Sequence, residues 1–233
     1  MALVDLLHEL REFDTALIAN TIGYIDKTPA HEFYMGNSIQ SVTPTLGPTV
    51  GVAMTCQLDS STPGNQANPE PHLQQLEQIL ELQEPVVWVV QTVGSRPDHE
   101  CVLGDGMAKE LFSVGCVGVV TDGGVRDIEG LLSIPFAAYS KGKTIHHCAL
   151  NYKEINNPVN IGGITIRSGD VIHANNEGVI RVPTSCLEKL PTQAIKMRSF
   201  EQDVHRFCRR TDSTPRSNRK RVEELLKHYG FSI

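Results

Sequence analysis

Apolar positions recur at helical spacing from the start of the chain. Leu6, Leu7, Leu10, Phe13, Leu17 and Ile18 predict an amphipathic helix from about Asp5 to Asn20, with a second short helix starting near Thr21. Val50–Leu58 reads as a strand. Leu73, Leu76, Ile79, Leu80 and Leu82 predict a helix over His72–Leu82, ending near Glu84-Pro85. The next run, Val86-Val87-Trp88-Val89-Val90-Gln91, does not alternate at all, which is the pattern of a strand covered on both faces. Helix over Gly104–Val114 with Ala108, Leu111 and Phe112 inward, strand over Val117–Thr121, short helix over Ile128–Leu132 and strand over Phe136–Tyr139 complete the middle of the chain. Helix and strand alternate here, which predicts a mainly parallel α/β layer.

Turn residues divide the rest. Thr28–Pro48 and Asp59–Pro71 are rich in Pro, Gly, Ser, Thr and Asn and read as loops, the second exposed and mobile, and Gly94–Val102 reads as a third loop. From Val159 to Val182, short strands are separated by Gly162-Gly163, Ser168-Gly169-Asp170 and Asn175-Asn176-Glu177-Gly178, predicting an antiparallel layer packed on the parallel one. A long helical pattern from Thr184 to Arg210 has Thr184 or Ser185 as its N-cap, and Pro191 kinks or restarts it. Arg209–Arg221 is basic and polar, and Val222–Tyr229 reads as a terminal helix. There is no internal repeat. The chain reads as one α/β domain over 1–210 with a helical extension over 211–233.

Composition narrows the partners. With 40% hydrophobic and 21% charged residues the chain is an ordinary globular one, and its net charge of −6 disfavours whole-surface attraction to nucleic acid or anionic membrane. No apolar run reaches the roughly 18 residues of a membrane span, and the first residues lack a signal-peptide pattern. A cytosolic or similarly reducing compartment is expected. The six cysteines include no C-x-x-C pair and read as buried reduced thiols.

The chemistry concentrates in two stretches. Gly104-Asp105-Gly106-Met107 opens a helix, where free backbone N–H groups and the helix dipole favour an anion. Val117–Thr121 leads into Asp122-Gly123-Gly124-Val125-Arg126-Asp127, placing a cation and an anion just past the carboxyl end of a strand, where α/β sheets collect ligands. Taken singly, Arg126-Asp127 is a helix-capping Asp beside a solvated Arg, and Gly-x-Gly is only a turn. Taken together they offer a carboxylate cradle, a guanidinium and a carboxylate. His146-His147 in an extended segment points to opposite faces and reads as surface histidine. His173 reads as a hydrogen-bonded structural histidine. The Arg209–Arg221 cluster reads as a solvated tail or an intersubunit salt-bridging segment.

From roughly Val50 to Val182 the sequence resembles the RraA-like family, which holds class II 4-hydroxy-4-methyl-2-oxoglutarate / 4-carboxy-4-hydroxy-2-oxoadipate aldolases and regulators of ribonuclease E activity. Its Gly-Glu-Leu-Leu-like turn, Gly-x-x-Gly strand entry and Asp-Gly-Ala-x-Arg-Asp stretch read here as Gly104–Met107, Gly115–Gly118 and Asp122–Asp127, without insertion. Ser168–Val179 is similar to the family's Pro-Gly-Asp turn. The resemblance implies a layered β/β/α swivelling-domain-like fold. It also implies a divalent-metal-dependent lyase that cleaves a 4-hydroxy-2-oxo acid to pyruvate and an oxo acid, with oxaloacetate decarboxylation as a second activity. The family's non-catalytic protein-binding regulators are the other class.

By that resemblance the backbone of Gly104, Asp105, Gly106 and Met107 binds the pyruvate carboxylate, Arg126 contacts the C2 oxygen, and Asp127 anchors Mg²⁺ or Mn²⁺. Asp105 holds metal-bound water, and a glutamate comes from the C-terminal region of a neighbouring subunit, with Glu201 its candidate. A homotrimer or homohexamer with interfacial sites is implied. The chain departs from the family pattern at Gly130, where the aldolases carry an acid three residues after the aspartate, and at Gly106, where they carry a bulkier residue.

Overall fold

The non-alternating run at Val86 is the centre of the sheet. In the computed structural model, which describes residues 2–147 and 149–231, the strands are β1 (Gln40–Ser41), β2 (Thr49–Leu58), β3 (Val86–Thr92), β4 (Cys101–Leu103), β5 (Cys116–Val125), β6 (Ala137–Lys143), β7 (Tyr152–Lys153), β8 (Val159–Ile161), β9 (Ile164–Ile166), β10 (Val171–Asn175) and β11 (Gly178–Val182). The helices are α1 (Leu3–Leu10), α2 (Thr15–Ile25), α3 (Glu70–Glu81), α4 (Asp105–Ser113), α5 (Ile128–Leu131), α6 (Leu190–Cys208) and α7 (Pro215–Tyr229). The main sheet runs β1-β6-β5-β3-β2-β10-β11, with β4 on β5 and β7 on β2. β2, β3, β5 and β6 are mutually parallel, as the alternating pattern predicts.

Each face of this sheet is covered by a different layer. Val86, Trp88 and Val90 pack with Ile79, Ala108 and Leu111 of α3 and α4. Val87 and Val89 pack on the other face with Ile161, Ile164 and Ile166 of the separate β8–β9 hairpin. Burying a side chain of this size contributes about 1.5–3 kcal/mol, so both layers are held by the β-branched run itself. A third cluster joins α1, α2, α6 and α7 to β10 and β11 through Leu10, Ile18, Val171, Ile180, Met197 and Leu226. The result is the expected β/β/α layering with a helical C-terminal part.

Several local expectations change. The break between the two N-terminal helices falls before Thr15 rather than near Thr21, because the Asp14 carboxylate accepts from the Leu17 amide at 2.8 Å and caps the start of α2, which runs unbroken through Thr21. β10 and β11 do not form a separate layer: β10 pairs antiparallel with β2 and extends the main sheet, and only β8–β9 stands apart. Phe112 is 39% exposed rather than inward. Neither Thr184 nor Ser185 caps α6, which begins at Leu190 with Pro191 in its first turn, where a missing N–H costs nothing. α7 starts earlier than expected, at a Thr214–Ser217 capping box, and buries Leu225 and Leu226. Arginines in and before it pair locally within the chain, Arg210 with Asp212, Arg219 with Glu223 and Arg221 with Glu224. Cys56, Cys101, Cys116 and Cys186 are buried and reduced, whereas Cys208 is exposed and Cys148 lies outside the described residues.

His173 is the structural histidine expected. It is fully buried in β10, its Nε2–H donating to Leu10 O at 3.1 Å and its Nδ1 accepting from Thr15 Oγ1 at 3.0 Å. Burial pushes its pKa down to about 4. The unfolded chain, titrating near 6.5, therefore binds more protons than the native state between these values, and stability falls as pH drops through that window. Urea denaturation is expected to lose about 3 kcal/mol between pH 7 and pH 4 from this group, a component that His173→Gln removes.

Candidate active site

Two strand-to-helix turns stand side by side at the carboxyl end of the parallel strands, and β4 is the reason. β4 pairs in parallel with the end of β5, Cys101 opposite Gly124 and Leu103 opposite Val125. The Arg126 amide continues the ladder, donating to Leu103 O at 3.0 Å. Gly104 therefore follows β4 beside Arg126, and the two chains open into α4 and α5. β5 itself does not stop at Thr121 as expected. It runs through Gly123-Gly124 to Val125, with a register shift against β6 between Thr121 and Gly124. Asp122 faces β3 rather than the turns: its Oδ1 accepts from the Thr92 amide at 2.7 Å, and burial raises its pKa.

Gly104 is extended (φ −120°, ψ 179°), and no side chain caps α4. The first-turn N–H groups have no backbone acceptor within the helix, and the helix dipole adds positive potential there. Glycine here leaves room for the side chains of the neighbouring turn and is not demanded by its own dihedrals. A Cβ at 104 would lie 2.7 Å from Asp127 Oδ2 and 3.0 Å from Arg126 Nε. The space above the backbone at 104 is held by the Arg126–Asp127 pair, whose Nε–Oδ2 distance is 3.2 Å.

Asp127 is left-handed (φ 56°, ψ 46°), a conformation that costs a non-glycine residue about 1–2 kcal/mol and that Asp tolerates better than most. Although it occupies the N-cap position of α5, its side chain makes no capping bond. The plain reading of Arg126-Asp127 as a capping aspartate beside a solvated arginine is therefore incorrect. The strained backbone turns the carboxylate to Arg126, whose side chain is only 33% exposed.

Asp105 is the first residue of α4, and its Oδ2 accepts from Lys109 Nζ one turn on, at 2.6 Å. The ammonium holds this carboxyl below the usual range, so it is ionised. Its position explains Gly130. A Cβ at 130 would lie 2.6 Å from both Cβ and Oδ2 of Asp105 and 2.8 Å from its Cγ. The volume that a side chain at 130 would need is already filled by Asp105.

Gly104, Asp105, Gly106, Met107, Arg126 and Asp127 line one cleft of about 340 Å³, within the range of small-molecule sites. Asp105 and Asp127 also share a shallower depression with Glu129 and Gly130. Among the described residues no three His, Cys, Asp or Glu side chains gather as a metal-binding group. This chain offers two carboxylates, which suits a hard cation that keeps most of its water, Mg²⁺ or Mn²⁺, and not a softer one. Glu201 lies on α6, where its Oε1 accepts from Asn20 Nδ2 at 2.9 Å, and it does not line the cleft of its own chain.

The cleft has a wall that the sequence did not point to. His147 and Leu150, from the segment after β6, border it. The rings of His146 and His147 do not point to opposite faces. They stack, with centroids 5.5 Å apart and planes 17° apart. The missed signal was topological: β6 is parallel to β5, so the chain leaving β6 must emerge at the Arg126 end. Behind the cleft, the fully buried Glu100 accepts from the amides of Ser60, Ser61 and Gly94 and from Ser61 Oγ. Asp59 anchors the same loop. Burial there is outweighed by an ion pair with Lys153 at 2.9 Å and by further hydrogen bonds, which hold its carboxyl at a pKa of about 2. The Asp59–Pro71 segment is thus pinned at its start.

Comparison with known proteins places the chain by sequence and by fold. The chain is 35% identical over 101 residues to a Halalkalibacterium halodurans protein named "Putative 4-hydroxy-4-methyl-2-oxoglutarate aldolase", a match covering 42% of this chain and 45% of that one. It is 30% identical over 107 residues to protein DlpA of Legionella pneumophila, covering 44% of this chain and 17% of that one. The chain therefore spans less than half the length of these relatives. Among solved structures, an uncharacterized protein from Pseudomonas syringae pv. tomato covers 92% of this chain and is covered to 96%, with a TM-score of 0.67 and 22% identity. Streptomyces coelicolor RraAS2, described as an unusual member of an RNase ES inhibitor family, has the same TM-score and identity, with coverages of 86% and 96%. At that identity these structures show the fold alone. The RraA-like profile (Aldolase/RraA) matches residues 18–181, most of the chain and both turns of the cleft, and the protein belongs to the RraA-like family.

Proposed function

We propose that this protein is a divalent-cation-dependent lyase that cleaves a 4-hydroxy-2-oxo acid to pyruvate and an oxo acid, and that decarboxylates oxaloacetate through the same enolate. One observation carries the reading: the β4–β5 pairing sets an uncapped helix N-terminus, a guanidinium and two carboxylates in a single cleft. The amides of Gly104–Met107 receive the substrate carboxylate. Arg126 lies beside the C2 oxygen and stabilises the charge that develops there. Asp105, ionised beside Lys109, takes the 4-hydroxyl proton through one water. The C3–C4 bond then breaks, its electron pair passing to C3 as the pyruvate enolate while C4 becomes a carbonyl, and protonation at C3 releases pyruvate. Asp127, with Asp105 through water, would hold Mg²⁺ or Mn²⁺, which supplies Lewis acidity at the C2 oxygen when bound. Among the described residues no lysine lines the cleft, so a Schiff-base route has no candidate nucleophile there. A neighbouring subunit of a trimer or hexamer would supply the further acid, with Glu201 its candidate. A non-catalytic regulator would have no use for a strained aspartate paired to a half-buried arginine.

A coupled assay of pyruvate release, with several 4-hydroxy-2-oxo acids and oxaloacetate and with or without Mg²⁺ or Mn²⁺, tests this directly. Cation-dependent pyruvate is expected, and Arg126→Ala should lower kcat by about 10²–10³-fold, the usual effect of losing one oxyanion donor. Folded protein that yields no pyruvate from any of these acids overturns the proposal and favours the regulator class.

A further inference from the structure

The pyruvate half of the proposed substrate uses the α4 amides and Arg126, which leaves one donor in the cleft without an assigned role. His147 is carried there by backbone, not by a flexible reach. Past its register shift, β6 stays paired with β5 to its last residue, Lys143 opposite Val125, and the Thr144 amide then donates to Val125 O at 3.0 Å. Gly124 makes the approach possible, since a Cβ there would lie 2.8 Å from Thr144 Cγ2 and 2.9 Å from Thr144 Cβ. The chain is thereby seated against the end of β5, one residue before Arg126, and three residues later His147 borders the cleft. Its ring is braced by the stacked His146.

We infer that His147 is a specificity-determining residue, whose imidazole N–H binds an oxyanion carried on the C4 side of the substrate. The inference rests on the lyase reading of the same cleft. Among the described residues, the charged groups lining the cleft are Asp105, Arg126 and Asp127, and each has a role at the pyruvate end or with the cation. Leu150, beside His147 on the same wall, gives an alkyl substituent a surface but no polar partner. The imidazole is therefore the group that separates an acidic C4 substituent from a neutral one of similar length. His147 is exposed, so its replacement should leave the fold unchanged.

Non-cleavable acids isolate this from turnover. With Mn²⁺ present, calorimetric titration of the whole protein with 2-oxoglutarate and with 2-oxobutyrate compares a second carboxylate with an alkyl end. His147→Ala should weaken 2-oxoglutarate binding about tenfold, the scale of one hydrogen bond to a charged group, and change 2-oxobutyrate less than about twofold. His147→Lys should restore most of the loss. Equal effects on both acids, or none, overturn the assignment of His147 while leaving the lyase reading to the pyruvate assay. Failure of the wild-type protein to bind either acid overturns both. Binding with the expected discrimination but no pyruvate release retains His147 as a ligand-selecting residue and overturns only the lyase activity.

Discussion

Asp127→Asn is expected to abolish cation-dependent pyruvate release, a loss well above the 10–100-fold typical of altering an outer partner of a metal site, while the unfolding midpoint stays within a few degrees of wild type. The two halves of this expectation have separate physical grounds. Asparagine keeps the shape of the side chain and, like aspartate, is at home in the left-handed region that residue 127 adopts. What is lost is the charge that would hold the cation. The structural cost is that of an ion pair whose two side chains are 33% and 43% exposed, a class of interaction contributing about 0–1 kcal/mol. For a chain of this size that is a shift of about 2–4 °C at most. Asp127→Ala should be equally inactive but less stable, since alanine bears the full left-handed penalty. Activity assays with a Mg²⁺ or Mn²⁺ titration, together with calorimetric melting of both variants, check the pair of claims. A fully active Asn variant would show that the carboxylate does not anchor a metal. An inactive one that melts far below wild type would show that Asp127 is a structural residue instead.

Much of this cleft is legible in the sequence alone, and the reason is local. An uncapped helix start at Gly104 and an Arg-Asp pair after a β-branched strand are each written in a few contiguous residues, and so is the double burial of Val86–Gln91. What escapes is non-local. β4 is three residues long and has no periodicity to detect. It exists because Cys101 and Leu103 find Gly124 and Val125 across the sheet, and without that pairing the two halves of the cleft have no reason to meet. The same limit hides the extension of β5 through its glycines, the joining of β10 to β2 and the place of His147. In each case a residue on a distant strand decides the conformation. The break between α1 and α2 is a different failure. The Asp14 cap is visible in the sequence, but continuous apolar spacing from Leu6 to Ile18 outweighs it.

Gly130 is where the chain departs from the aldolase pattern, and the geometry makes the departure testable. In the sequence it reads as a missing acid. In the structure the volume beyond residue 130 is filled by Asp105, which leaves no room there for a side chain from α5. Gly130→Ala should therefore act at a distance from its own small size. Its Cβ would meet Asp105 at Cβ and Cγ, atoms close to the backbone that cannot swing away as a flexible tip could. The first turn of α4 must shift, which strains the 2.6 Å contact with Lys109 and displaces the carboxylate from the depression that it shares with Asp127. We expect a 10–100-fold loss in kcat/KM, the scale of disturbing an outer partner of a metal site, and a weaker response to Mg²⁺ at saturating substrate. A double-mutant cycle separates this from general damage to α5. In the Asp105→Gly background the clash is gone, so Gly130→Ala should cost little further, and the two losses should be strongly non-additive. If they add, residue 130 acts independently of Asp105.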